Sequence, residues 1–504
     1  MAILTPALRK VIDEDDSDGD DEIITTISTF SMASYGGVER LTYNGASAAT
    51  LTGNARDNVI TGGSAGDTLL GGDGADQFFG GNGFDTVSYA DSAEAMTFDF
   101  DWGEFTGIGR WDTFDSIESF RGTNFGDTFI ASINVENIDG GNGVDLLSYR
   151  EATGGVSINL ATREYTGYAL GDIFTNIEII EGSEHDDSFV GNTADNIFIG
   201  GYGADSFDGG SGVDSVWYVT SGSGVTINLA NTNLNSGEAS GDSFTSIERF
   251  TGSHFNDTLT ASNNVAWLAG AGGDDIIRGG ASADILFGGN SSDLGAAEII
   301  TAINQADLIY GGDGNDEIYS AGHFRGTSPF GEGIDAGTVI YGEAGNDQIV
   351  MSSADAYGGI GNDTITVWGA GTAFGGDGDD TLNGEYLDFQ LYGGSGADKL
   401  NLTIGRGFAD GGEGGDVYRT TTVLRSTIRD TGTSSGDIVH LGRVENVSDL
   451  VANREGSDLV ISSLRDKFTY PDSVVVLEDW FNGYDTIEAF VLADGNYISG
   501  DFII

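Results

Sequence analysis

The sequence predicts an all-β protein: a parallel β-roll, or β-helix, of nine-residue repeats closed by a C-terminal β capping domain. Three observations predict it. A glycine-punctuated nonapeptide runs end to end over residues 53–88, 80 Asp and Glu stand against 20 Lys and Arg, and the last stretch of the chain reads as ordinary glycine-poor strands.

The units at 53–88 are GNARDNVIT, GGSAGDTLL, GGDGADQFF and GGNGFDTVS. Each is half turn and half strand. Glycines at the first, second and fourth positions permit φ > 0, so the backbone turns tightly and its carbonyls approach one another. The sixth position supplies a carboxylate (Asp67, Asp76, Asp85), and the eighth is apolar (Ile60, Leu69, Phe78, Val87). One apolar residue per short strand is the minimum needed to line a face of a parallel sheet. Two units make one coil, which places the turn at Gly62 under that at Gly80 and Gly53 under Gly71. Backbone carbonyls and aspartates stacked along one edge form an oxygen-only ligand set, the kind a hard cation such as Ca2+ prefers.

This nonapeptide, G-G-x-G-x-D-x-U-x, resembles the haemolysin-type calcium-binding repeat of the repeats-in-toxin (RTX) family. The resemblance implies multiple Ca2+ ions, each held between one turn and the turn a coil further on. Candidate metal positions are therefore the first-position glycines Gly62, Gly71 and Gly80 with Asp67, Asp76 and Asp85. The pairing recurs as Gly140 with Asp145, Gly200 with Asp205, Gly209 with Asp214 and Gly311 with Asp316. Asp127, Asp187, Asp257, Asp275, Asp284 and Asp347 stand sixth in turns of looser consensus. Toward the C-terminus come Gly358 with Asp363, Gly375 with Asp380, Gly393 with Asp398, and Gly411 with Asp416.

A formal charge of −60 makes the metal-free chain repel itself. About ten strict turns, each taking a divalent ion, would cancel roughly a third of that excess, so binding and folding are expected to be one event. Nucleic acid is an implausible partner because no basic patch exists to neutralise phosphates. The 82 glycines and 3 prolines would suggest disorder if scattered, but the glycines fall at fixed positions. The absence of cysteine leaves stapling to ions rather than disulfides.

In chain order, residues 1–29 form an acidic N-terminal segment. Its run DEDDSDGDDE suggests an EF-hand, but the glycine comes one place late and the distal glutamate is missing, so a solvated tail is expected. Residues 30–290 hold tandem modules with inserted β segments. GGNGFDTVSY (80–89), GGNGVDLLSY (140–149) and GGSGVDSVWY (209–218) each lead to an alternating strand, then back into nonapeptide register at Gly122, Gly182 and Gly252. A worn copy begins at GGVERLTYNG (36–45). Val38-Glu39, Ile117-Glu118, Ile177-Glu178 and Ile247-Glu248 recur at matched places, and the repetition favours structural carboxylates over catalytic ones.

Residues 291–340 carry irregular insertions, one of them helix-prone. A second β-roll follows at 341–418, where the turn consensus appears once per coil, so one edge is expected to bind ions and the other to be plain loops. The segment 419–504 resembles the cap of RTX arrays and ends in a secretion signal. A cap is needed because the last coil would otherwise expose an apolar face and open strand edges. Asp501-Phe502-Ile503-Ile504 looks like the ending of an uncleaved type I signal, and 1–12 is too short of apolar residues for a secretory h-region. No run reaches the length of a membrane span.

A catalytic site is not expected. His185, His254, His323 and His440 include no H-E-x-x-H pair. GGSAG at 62–66 matches G-x-S-x-G in form, but Ser64 stands third in a turn, where any small residue serves. The six tryptophans are spread along the chain. The expected function is an extracellular or cell-surface, calcium-dependent structural protein, a surface-layer or matrix component whose partners are copies of itself and a type I export machinery. The alternative is a polysaccharide-acting enzyme or carbohydrate-binding adhesin, with cell-surface polysaccharide as partner, using the irregular region 291–340.

Overall fold

The computed structural model describes residues 8–11, 21–134, 137–264, 266–289, 307–320, 337–421, 424–466, 470, 473–482 and 487–500. Most of the acidic run, the helix-prone insertion, His323 and the four final residues lie outside the described residues. Among those described, the regular elements are β-strands and single 3-10 turns, and no helix is long and apolar enough to cross a membrane. By contacts the chain forms two compact units, Met1–Val216 with Gly241–Ile247, and Trp217–Ser240 with Glu248–Ile504.

In the first unit three-residue strands stack in parallel register, one residue of each pointing inward. One column runs Leu41, Ile60, Phe78, Phe114, and a second runs Leu51, Leu69, Val87, Phe120, Ile138, Phe174. The eighth-position residues Ile60, Leu69, Phe78 and Val87 are fully buried or nearly so. Burying one such side chain contributes about 1.5–3 kcal/mol, the main return on ordering each short repeat.

The recurrent intervening segment has a definite job in this packing. The strand Thr97–Asp99, hairpinned to Glu104–Phe105, opens a new stack that Thr128–Ile130 and Leu146–Ser148 extend. The chain then returns. Thr113–Asp115 closes the column above Gln77–Phe79, while Ser119–Arg121 lies between Thr86–Ser88 and Asn137–Asp139 and carries that column onward. Each module thus ends one stack, continues another and begins a third. Val156–Asn159, hairpinned to Glu164–Gly167, repeats the manoeuvre.

The second unit keeps two stacks throughout. One inner column is Ile227, Leu259, Ile277, Ile309, Ile340, Ala356, Ala373, Leu391, Ala409, Ile428, Leu477. The other is Phe250, Leu268, Leu286, Ile318, Ile349, Ile365, Leu382, Leu400, Tyr418, Val439, Phe490. Both columns run on into the cap. There the strands Val474–Leu477 and Ile487–Leu492 receive antiparallel partners, Asp458–Ser463 and Tyr497–Ser499, so parallel stacking stops. On the outer face Tyr310, Tyr341, Tyr357, Phe374 and Tyr392 stack in file, ring centroids 5.2, 5.0, 4.7 and 4.9 Å apart.

Candidate calcium centres

Each sixth-position carboxylate bonds to the coil before it. The amide of Asp67 donates to Asp85 Oδ1 at 2.7 Å, and the amide of Asn58 donates to Asp76 Oδ1 at 2.7 Å. Asp127 to Asp145, Asp187 to Asp205 and Asn196 to Asp214 repeat the bond at 2.7, 2.8 and 2.8 Å. In the second unit one ladder climbs Ala266, Asp284, Asp316, Asp347, Asp363, Asp380, Asp398, Asp416, Asp437 at 2.7–2.9 Å per rung. The other runs from Asp257 through Asp275 to Asp307 and stops at the Thr338 hydroxyl. Beyond Thr338 only one edge of the roll carries such carboxylates among the described residues, where the turn consensus had thinned to one per coil.

The structure divides the predicted aspartates into two kinds. At the foot of a ladder (Asp67, Asp127, Asp187, Asp257, Asp284), Oδ2 accepts the amide of the second residue of its own turn, at 2.5–2.6 Å. Higher up, Oδ2 of Asp76, Asp85, Asp145, Asp205, Asp275, Asp316, Asp347, Asp363, Asp380, Asp398 and Asp416 is buried without a hydrogen bond. The cause lies at the second position. In the upper turns it has positive φ, at glycines such as Gly72 (+89°) and Gly376 (+118°) and also at Ala271 (+75°) and Glu343 (+74°), and its amide makes no bond to the carboxylate. At the foot Gly63, Thr123, Ser183, Ser253 and Gly280 hold that position outside the left-handed region, and their amides face the carboxylate.

The first-position glycines need a correction. They were expected to supply φ > 0, but Gly62, Gly71, Gly358, Gly375 and Gly393 are not in the left-handed region. Their requirement is space. A Cβ on Gly393 would lie 2.3 Å from Asp398 Oδ2 and 2.5 Å from the Gly411 carbonyl oxygen, and Gly358 and Gly375 repeat this with Asp363 and Asp380. Gly62, Gly140 and Gly209 are crowded in the same way by Asp67, Asp145 and Asp214, and Gly71, Gly200 and Gly311 by Asp76, Asp205 and Asp316. Gly80 meets Ser116 O and Asp85, and Gly411 meets Asp416 Oδ2 and the Tyr418 hydroxyl. Each turn therefore brings a carboxylate oxygen and, in most cases, the carbonyl of the next coil to one spot.

Burial raises these carboxyls strongly, with neighbouring carboxylates adding to it: Asp275 to about 9, Asp76 and Asp205 to about 8, and Asp145, Asp347, Asp380 and Asp416 to about 7. A buried carboxylate with one oxygen unsatisfied holds either a proton or a cation. The donor set is all oxygen, so it fits Ca2+, held by the upper-rung aspartates and turn carbonyls. Bound there, the ion supplies positive charge to an edge that otherwise repels itself.

Sequence reading marked Glu118 and Glu178 as structural carboxylates but did not place them at the ladder ends, and it missed Asp112 and Asp242. Asp85 and Asp145 donate their amides to Glu118 Oε2 and Glu178 Oε2 at 2.8 and 2.9 Å, so these Ile-Glu carboxylates stand in for a next aspartate. Asp112 and Asp242 do the same for Asp76 and Asp205. Tyr89 fixes Asp112 through its hydroxyl at 2.8 Å, and Tyr149 fixes Asp172 at 2.9 Å. The recurring D-x-F at 112–114, 172–174 and 242–244, matched to the tyrosine that ends each GGNG-type unit, was the available signal. Asp437 ends a degenerate turn, GTSSGD at 432–437, and the cap residue Glu488 accepts its amide at 2.7 Å. Ser64 is exposed in its turn, and His185 lies in the turn that Asp187 closes.

The family model of the RTX calcium-binding nonapeptide repeat, in four copies, matches residues 52–87, 181–216, 266–294, 296–322, 339–350 and 366–386. No curated protein matches the chain in sequence. Among solved structures, a hyperactive, Ca2+-dependent, β-helical antifreeze protein from an Antarctic bacterium is similar at 13% identity, over 94% of this chain and 95% of that one. The TM-score of that pair is 0.18, which carries no inference about either molecule. The nonapeptide match and the carboxylate ladders agree over 52–87: the chain carries RTX-type calcium-binding nonapeptide repeats.

Proposed function

We propose that this calcium-dependent repeat protein works outside the cell as a structural element, a self-assembling component of a surface layer or matrix. The observation that carries the reading is the continuous ladder from Ala266 to Asp437, sealed by Glu488 of the cap. A chain whose described length is taken up by stacked coils and their closure is a scaffold, with regular edges to present to neighbours. Export as an unfolded polyanion, followed by folding at roughly millimolar calcium, suits weak extracellular-type sites.

The test is to strip the full chain with chelator, restore calcium, and follow circular dichroism, light scattering and negative-stain electron microscopy on one sample. Sheets or filaments that form with the β signal support the reading. A folded chain that stays monomeric at high concentration overturns it.

A second reading, carbohydrate binding, is favoured by two tryptophans left in solvent. Trp102 and Trp111 are 74% and 72% exposed, and the Arg110 guanidinium lies 4.8 Å from the Trp111 ring. Glycan-array binding that Trp111→Ala abolishes would favour it. The region first expected to serve this role, 291–340, lies mostly outside the described residues.

A further inference from the structure

The last turn of the roll differs from those below it. Under Gly358, Gly375 and Gly393, the space a Cβ would fill is bounded by the sixth-position carboxylate and the next coil's glycine carbonyl. Under Gly411 the Asp416 carboxylate and the Tyr418 hydroxyl are the nearest groups; the hydroxyl lies 2.5 Å from the spot and accepts the Gly411 amide at 2.6 Å. The chain then adds a carboxylate with no counterpart lower in the ladder. Asp430 comes in beside Asp416 and Asp437, and one carboxylate oxygen from each lies within 4.8 Å of the others.

All three residues are buried, at 0–1% exposure. Three carboxylates brought together out of water repel one another unless a cation sits among them. Crowding alone would not make a site, but Asp416 Oδ2 is buried with no hydrogen bond and belongs to this group. Asp416 Oδ1 and Asp437 Oδ1 accept backbone amides of the rung below, and Asp430 Oδ1 accepts the Gly432 amide at 3.1 Å.

We propose that Asp416, Asp430 and Asp437 form a divalent-cation site at the seam between roll and cap, with a third carboxylate added to the pair that successive rungs supply. A site with more ligand charge binds calcium more tightly than its neighbours. It also spans the seam: Ser426–Ile428 and Asp437–Leu441, on either side of Asp430, are the strands on which the cap strands Val474–Leu477 and Ile487–Leu492 stack. Filling it fixes the platform the cap docks on, and this holds whether or not the protein self-assembles.

The experiment measures calcium bound per chain by equilibrium dialysis, with hydrogen exchange over 426–492, in the full-length protein, Asp430→Asn and Asp380→Asn. Asp430→Asn keeps an acceptor for Gly432 and removes the charge. It is expected to lose one ion per chain from the tightest class and to need at least tenfold more calcium to protect the cap amides. Asp380→Asn is expected to lose an ion from the array while leaving the calcium requirement of the cap unchanged. Equal ion count and equal cap protection in Asp430→Asn overturns the proposal. Should that variant fail to fold, the unaltered protein crystallised with Tb3+ decides: an anomalous peak among the three carboxylates is expected, and peaks at the turns with none at the seam overturn it.

Discussion

Gly393→Ala tests the reasoning most directly, because the structure leaves the new methyl nowhere to go. Backbone strain is not the issue, since Gly393 lies outside the left-handed region. The methyl carbon would sit 2.3 Å from Asp398 Oδ2 and 2.5 Å from the Gly411 carbonyl oxygen, each about 1 Å inside ordinary contact. The carboxylate could swing away only by leaving the amide of Asp380, which it holds at 2.8 Å. Nor can the Gly411 carbonyl retreat, because Gly394 pairs with Gly412 and the Gly396 amide donates to Glu413 O at 2.7 Å. Overpacking of this kind costs about 1–3 kcal/mol, or about a 5- to 150-fold rise in the local opening constant. Hydrogen exchange in saturating calcium reads that constant directly. The loss of protection should centre on amides 376–420 and fade toward 250, as nearest-neighbour coupling in a solenoid requires. Gly456→Ala is the control: φ is +70° with nothing within 4 Å, so it should cost about 1 kcal/mol and only in its hairpin. Unchanged protection across 376–420 in Gly393→Ala would refute the close-approach account of the first position.

Acid should partly replace calcium. Asp275, Asp76 and Asp205 carry folded-state pKa values of about 9, 8 and 8, against 3.8 when free. Raised carboxyl values stabilise the metal-free fold fully below about pH 4 and lose that contribution as pH rises through 6–9. Circular dichroism of chelated protein should therefore gain β signal between pH 9 and pH 5, and a loss on acidification would contradict the raised values. Leu400→Ala empties a fully buried place in an inner column and should cost about 2–5 kcal/mol, seen as faster proteolysis of the second unit. Glu118→Ala leaves the Asp85 amide without its acceptor and should cost about 1–3 kcal/mol, while Glu118→Gln, which keeps an oxygen, should recover most of it; equal losses in thermal melts would count against the ladder-end role.

The repeat was legible because its demands are local. Ile60, Leu69, Phe78 and Val87 had to be apolar and Asp67, Asp76 and Asp85 acidic within nine-residue windows, so pattern alone located them. What closes a ladder is not local. Glu118 reaches Asp85 across 33 residues and Asp242 reaches Asp205 across 37, so the recurring Ile-Glu and D-x-F mark the residues without naming their partners. The two kinds of rung were only partly written in the sequence: Thr123, Ser183 and Ser253 replace glycine at three feet, but Gly63 and Gly280 stand at the other two, and only the geometry shows that the sign of φ decides where the amide points. Asp430 had no signal at all, since it belongs to no turn and gains meaning only beside Asp416 and Asp437.

The way the second unit's coils are joined sets how it yields to mechanical force. Its ladder bonds run from coil to coil, along the direction in which the strands stack. Tension drawn along that direction loads every junction in series, so the weakest coil gives way first and the others are spared. A pull on the chain beyond the cap meets the coils one at a time. Each coil of the register Leu382–Leu400–Tyr418 is eighteen residues, so its release lengthens the chain by about 60 Å. Every release must first draw an aspartate such as Asp398 off the amide of the coil beneath. A force–extension trace should thus be a sawtooth in calcium, its teeth about twice as far apart for the long coils Leu286–Ile318–Ile349 as for those that follow, and its peak height set by the ion concentration.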